Sequence, residues 1–183
     1  MSNSTAYGGL KAIELENEYL RLVVLPQLGA KIVSLIHKAA DTDLIWRNPD
    51  VPPRPVRFGD PFDPNWCGGW DEQFPNDEPV THRGIGYPDH GELWCVPWSS
   101  ALEREADRAV LSMQVIGSVT SALVRKRISL RDGEPFFRVE SSIENRSSSP
   151  IDYIWKAHPA FAVSTAHRID LPAGRVLVEE AYR

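Results

Sequence analysis

The stretch Tyr19-Leu20-Arg21-Leu22-Val23-Val24-Leu25-Pro26-Gln27-Leu28-Gly29-Ala30-Lys31-Ile32-Val33-Ser34-Leu35-Ile36 decides the fold. Two β-rich runs flank Pro-Gln-Leu-Gly, which carries the breakers of a tight turn. Strand, turn, strand at this spacing predicts an antiparallel meander. Upstream, Ile13 and Leu15 alternate with Glu14 and Glu16, the period of a half-buried strand. Downstream, Asp43-Leu44-Ile45-Trp46 reads as a short strand. The same signal returns in Glu92–Trp98, Ala109–Ile116, Ala122–Arg131, Pro135–Glu144 and Ile151–Ala157. Arg131-Asp132-Gly133-Glu134 supplies a hairpin turn through its Asp-Gly pair, and 145–150 another polar turn. The best helix candidate, Ser100–Asp107, has too few apolar positions to pack. The chain therefore reads as one all-β sandwich domain over residues 1–183.

Composition sets outer bounds. The 183 residues carry 20 Lys+Arg and 25 Asp+Glu, a net charge of −5, so no basic stripe for nucleic acid dominates. Two cysteines are too few for a disulfide framework or a four-Cys zinc site. The polar start Met1–Gly9 lacks a signal peptide's basic and apolar regions, and no apolar run is long enough to span a bilayer. A cytoplasmic protein with no membrane partner is the expectation.

Residues 47–92 change character. Six prolines fall between Pro49 and Pro64, and Trp66, Trp70, Phe74, Tyr87 and Trp94 crowd the same region. Linkers are polar, whereas long loops inside a compact domain tend to carry function. Three clusters there and beyond could carry chemistry. In Cys67-Gly68-Gly69-Trp70-Asp71-Glu72-Gln73-Phe74-Pro75, paired glycines allow close backbone approach. Its adjacent carboxylates would face opposite ways on a strand, and a turn with two solvated acids is the plainer reading. In Tyr87-Pro88-Asp89-His90-Gly91-Glu92-Leu93-Trp94, His90 is placed for an exposed imidazole able to exchange protons near neutrality. In Trp155-Lys156-Ala157-His158-Pro159-Ala160-Phe161, an imidazole ends a strand that Pro159 stops. His37, His82 and His167 read as surface residues. Asp89, His90, Glu92 and His158 have ligand chemistry, but no H-E-x-x-H, C-x-x-C or paired His at ligand spacing supports a metal, and no cofactor fingerprint is present.

Taken together these stretches resemble the galactose mutarotase-like family, the aldose 1-epimerases and their relatives. The likeness runs through 16–22, Gly29-Ala30-Lys31-Ile32-Val33-Ser34-Leu35, 43–46, Gly68-Gly69 with Phe74-Pro75, His90-Gly91 with Trp94, and His158-Pro159-Ala160-Phe161. It implies a β-supersandwich in which a sugar hemiacetal opens and recloses. One group must protonate the ring oxygen and another must take the anomeric hydroxyl proton. The resemblance makes His158 the acid and His90 a sugar contact, with Asp89, Trp70 and Trp94 as further contacts. It places the base on a Glu far downstream, and Glu179 and Glu180 follow His158 too closely. The expectation is thus an N-terminal portion lacking its base: an anomer-interconverting isomerase, or alternatively a non-catalytic carbohydrate-binding domain. The sugar-phosphate branch carries arginines where this chain has Cys67 and Trp94, so a neutral sugar is the expected partner.

Overall fold

The computed structural model describes residues 2–175 and 177. Six strands open the chain: β1 (Ser2–Tyr7), β2 (Leu10–Glu16), β3 (Leu20–Leu25), β4 (Lys31–His37), β5 (Thr42–Asp43) and β6 (Trp70–Gln73). A small hairpin follows, β7 (Val80–His82) and β8 (Ile85–Tyr87). Then come β9 (Ser99–Arg104), β10 (Arg108–Ile116), β11 (Ala122–Arg131), β12 (Phe137–Asn145) and β13 (Lys156–Pro159). The larger sheet runs β1-β2-β3-β4-β6-β13 with β5 attached to β4, and the second runs β12-β11-β10-β9. Every strand pairing is antiparallel.

The run that anchored the sequence reading shows why the larger sheet has two covered faces. Leu20, Leu22 and Val24 point into the main core with Ile13, Leu15, Ile32, Leu111, Met113 and Ile128. Val23 and Leu25 point the other way, into a second cluster with Leu10, Ala12, Val33 and Cys67. A strand apolar on both faces must be buried on both. The second sheet covers one face. Part of the proline-rich segment covers the other, through Val51 and Val56. Burial at these positions is nearly complete, and each such side chain contributes about 1.5–3 kcal/mol.

Several expectations need correction. Glu92–Trp98 is not a strand. Leu93, Trp94, Cys95 and Trp98 are apolar because they plug the core, not because they pair in a sheet. Of Ile151–Ala157 only the end is strand, in β13. Ser100–Asp107, the helix candidate, falls mainly in strand β9. The strand expected over Arg175–Val178 lies largely outside the described residues. Among those described, helix is confined to two three-residue turns, Lys38–Ala40 and Asp63–Asn65, and no helix is long and apolar enough to cross a membrane.

Candidate functional site

β6 organises the site because its alternate residues face opposite sides of the sheet. Trp70 and Glu72 point toward the second sheet. There Glu72 is 1% exposed and meets the equally buried Lys126 of β11 at 2.9 Å. Asp71 points outward and pairs with the buried Lys31 of β4. The two carboxylates do face opposite ways, but the solvated turn is overturned: both are inside, each with its own lysine. Burial pushes the Glu72 carboxyl up from its ordinary value, with Lys126 pulling against it.

The outward face gathers the candidate residues. β13 lies antiparallel to β6, with His158 opposite Asp71 and Lys156 opposite Gln73. Residues directly opposite in an antiparallel pair share a face, so Lys31, Asp71, Gln73, Lys156 and His158 stand together. The loop segment supplies the rest. The Phe62 ring stacks on His90 with centroids 3.9 Å apart and planes 4° from parallel. Its edge contact with His158 is at 5.9 Å. Trp66 packs against His158 at 5.3 Å and against Trp46 at 5.4 Å. The Trp66 Nε1–H donates to Asp71 Oδ2 at 2.9 Å, so the Lys31–Asp71 pair fixes the indole as well as the strand.

His90 and His158 thus meet the same phenyl ring. His90 has a left-handed backbone, φ 57°, and its N–H donates to the Asp77 carbonyl at 2.6 Å. Its Nδ1 lies 2.7 Å from Asp89 Oδ1, and its Nε2 lies 3.9 Å from Asp77 Oδ1, which in turn accepts from Lys156 Nζ at 2.6 Å. The other Asp89 oxygen accepts the Phe62 N–H at 2.7 Å. Burial opposes charge on Asp89, yet the Phe62 N–H and His90 hold its carboxyl below the usual range. His158 has a buried Nδ1 with no partner. Burial pushes its imidazole below the ordinary value, and Asp71 pulls it partly back.

The remaining expected contacts are not arranged as sugar contacts. Trp94 is 2% exposed, with its edge toward Phe62 and its Nε1–H bonded to the Asp89 carbonyl, so it offers no free face. Trp70 lies on the opposite side of β6. It lines a cavity of about 360 Å³ between the sheets with Phe137, Val139 and Trp155. Asp89 orients His90 and has both oxygens engaged. Glu92 is turned away and ties down the β10–β11 turn, accepting from Val119 N–H at 2.6 Å and Thr120 Oγ1 at 2.5 Å. A larger cavity, about 750 Å³, lies over the second sheet among serines and arginines, with no imidazole or aromatic ring. The sequence reading missed Phe62, Trp46, Lys31 and Asp77. Lys31, a lysine opening a mainly apolar strand, was the one available signal.

A two-sheet antiparallel sandwich with an aromatic, imidazole-bearing face defines the class. The chain belongs to the family described as a domain of unknown function, DUF5107, which matches residues 1–179. Among solved structures it is similar to the Slr1438 protein from Synechocystis, with 17% identity, TM-score 0.54, and 79% of this chain and 52% of that one covered. It is similar to a TPR-domain containing protein from Parabacteroides distasonis, with 20% identity, TM-score 0.52, and coverage of 73% and 21%. A galactose mutarotase-like protein from Clostridium acetobutylicum matches at 12% identity, TM-score 0.50, with coverage of 70% and 44%. The chain spans about half or less of each of these structures. At these identities the likeness establishes the fold.

Proposed function

We propose that this domain binds a neutral carbohydrate on the Trp66–His90–His158 face and takes part in interconverting its anomers by acid/base ring opening. The observation carrying this reading is that two imidazoles, distant in sequence, pack on one phenyl ring beside a half-buried indole. Indole faces suit the apolar side of a sugar ring, and imidazole suits proton exchange with its oxygens. Ring opening needs His158 to give a proton to the ring oxygen as the C1–O bond breaks. A base must take the anomeric hydroxyl proton, and an aldehyde then forms and recloses. His90, held by Asp89, is suited to positioning.

Charge supports a neutral ligand. Lys31 and Lys156 are already paired with Asp71 and Asp77, and Cys67, where the sugar-phosphate branch carries arginine, is a buried thiol whose pKa burial raises. A cytoplasmic setting belongs to the same proposal, and two free buried thiols accord with it.

One observation favours the binding-domain reading instead. Asp71 and Asp89 have both oxygens engaged and Asp77 is ion-paired with Lys156, so among the described residues each of these three carboxylates of the face is already held by a partner. Polarimetry on freshly dissolved α-aldoses separates the two, with fluorescence titration of the same sugars read alongside and Trp66→Phe as control. Faster mutarotation supports the isomerase. Trp66-dependent quenching without acceleration supports the binding domain. No response in either measurement across an aldose panel removes both.

A further inference from the structure

Gln73 is fully buried, and neither its Oε1 nor its Nε2 has a hydrogen-bond partner. Each such group gives up its hydration with nothing in exchange. A core position with no other task would favour Leu or Met. Two other side chains, one of them only three residues further along the chain, are orphaned in a complementary way. His158 Nδ1 is buried without a partner, and so is Asn76 Oδ1. The Asn76 amide cannot be reversed, because its Nδ2 donates to the Glu78 carbonyl at 2.8 Å and to the Pro88 carbonyl at 2.6 Å. Of the six orphaned buried atoms among the described residues, four belong to these three side chains.

The register brings two of them together. With Lys156 opposite Gln73 and His158 opposite Asp71, Gln73 and His158 are diagonal neighbours on one face. Such pairs lie about 7–8 Å apart, within reach of a long side chain. The donor and acceptor sets then close: Asn76 offers an acceptor, Gln73 a donor and an acceptor, and His158 a ring N–H.

We propose that Gln73 is the positioning residue of His158: rotation of its side chain closes the bonds that the structure leaves open, Oε1 accepting His158 Nδ1–H and Nε2–H donating to Asn76 Oδ1. The Nδ1 proton then stays in place whether the imidazole is neutral or charged, and Nε2 becomes the nitrogen that exchanges protons with a ligand. A neutral amide does this without adding charge. The charged and titratable groups facing His158 remain Asp71 from β6, Lys31 from β4, Lys156 on its own strand and His90 from the loop. The inference gives the acid of the proposed reaction a fixed tautomer, but its readout needs no turnover, so either reading can fail without the other.

The test is nitrogen NMR of the chain labelled at histidine, with the His158 signals assigned by their loss in His158→Asn. In the wild type the Nδ1–H tautomer is expected to dominate below saturation of the imidazolium. Gln73→Met is expected to lower the ratio of Nδ1–H to Nε2–H by about three- to tenfold, the range of one neutral hydrogen bond. Gln73→Glu should preserve the tautomer and raise the His158 pKa by about one unit or more, as a nearby carboxylate does. A Gln73 that merely fills space would alter thermal stability and leave tautomer and pKa alone. If Gln73→Met does not fold, the wild type and Gln73→Glu decide. A dominant Nε2–H tautomer in the wild type, or an unmoved pKa in Gln73→Glu, overturns the proposal.

Discussion

His158 and His90 have different surroundings, and their substitutions should differ in kind. His158→Asn keeps size and some hydrogen bonding but cannot shuttle a proton. If the domain turns sugars over, it is expected to lower kcat by about 10²–10⁴-fold with a smaller change in KM. His90→Asn can keep a donor for Asp89 but loses the ring that stacks on Phe62 and its Nε2, and should raise KM more than it lowers kcat. Polarimetry after subtraction of spontaneous mutarotation measures both. The pH profile has a fixed sign. The acid must be imidazolium, and burial lowers its pKa. Activity that depends on it should fall with rising pH already below the ordinary imidazole value of about 6.5. At this scale His158 was legible because Pro159 ends β13, and His90 because of its Gly91 neighbour, although the strand expected to follow it is a loop. Trp94 was misread because a tryptophan beside a histidine has the same letter whether it shows its face to solvent or, as here, buries it behind Phe62.

The central element is β6, only four residues long, and its partners come from both sheets. Lys126→Met would leave Glu72 buried and unpaired, expected to destabilise by about 3–5 kcal/mol at neutral pH. Glu72 already has a raised folded pKa, so the stability it allows is greatest when protonated and is lost as pH rises. The deficit should therefore shrink on acidification, seen as urea midpoints of variant and wild type converging. A second expectation concerns the chain just after β6. Gly91 has φ 78°, and a Cβ there would lie 2.1 Å from the Phe74 carbonyl oxygen. Gly91→Ala should lower the melting temperature by several degrees and disturb the Phe62–His90 stack, visible in near-ultraviolet dichroism. Alternation made β2 readable, and β-rich runs bounded by turn residues made β3, β10 and β11 readable. It failed for Glu92–Trp98, where burial by loop packing imitates the composition of a strand. It also hid the lysines of Asp71 and Glu72, since no local pattern announces a partner 40 residues away, the separation of Lys31 and Asp71.

Across the whole molecule, order is unevenly spread. Residues 161–175 are exposed throughout, and from 164 onward their hydrogen bonds and ion pairs are local: Ser164 with His167, Arg168 with Asp170. Limited trypsin digestion followed by mass spectrometry should show cleavage at Arg168 or Arg175 before any cut within β10 or β11. Initial cuts in those strands would contradict this ordering. The sandwich class was legible because it follows from many weak strand signals that agree. The arrangement of the site was not, because it depends on which loop folds over which face. The two buried ion pairs on opposite sides of β6 have one more consequence. Shifting this strand by a single residue would send Asp71 toward the main core and Glu72 outward, parting both lysines from their carboxylates at once. The misthreaded chain would hold four stranded charges where the native one holds two neutral couples. Asp71 and Glu72 therefore act as a two-toothed key, admitting one threading of the sheet and penalising its nearest neighbours far more steeply than apolar packing could.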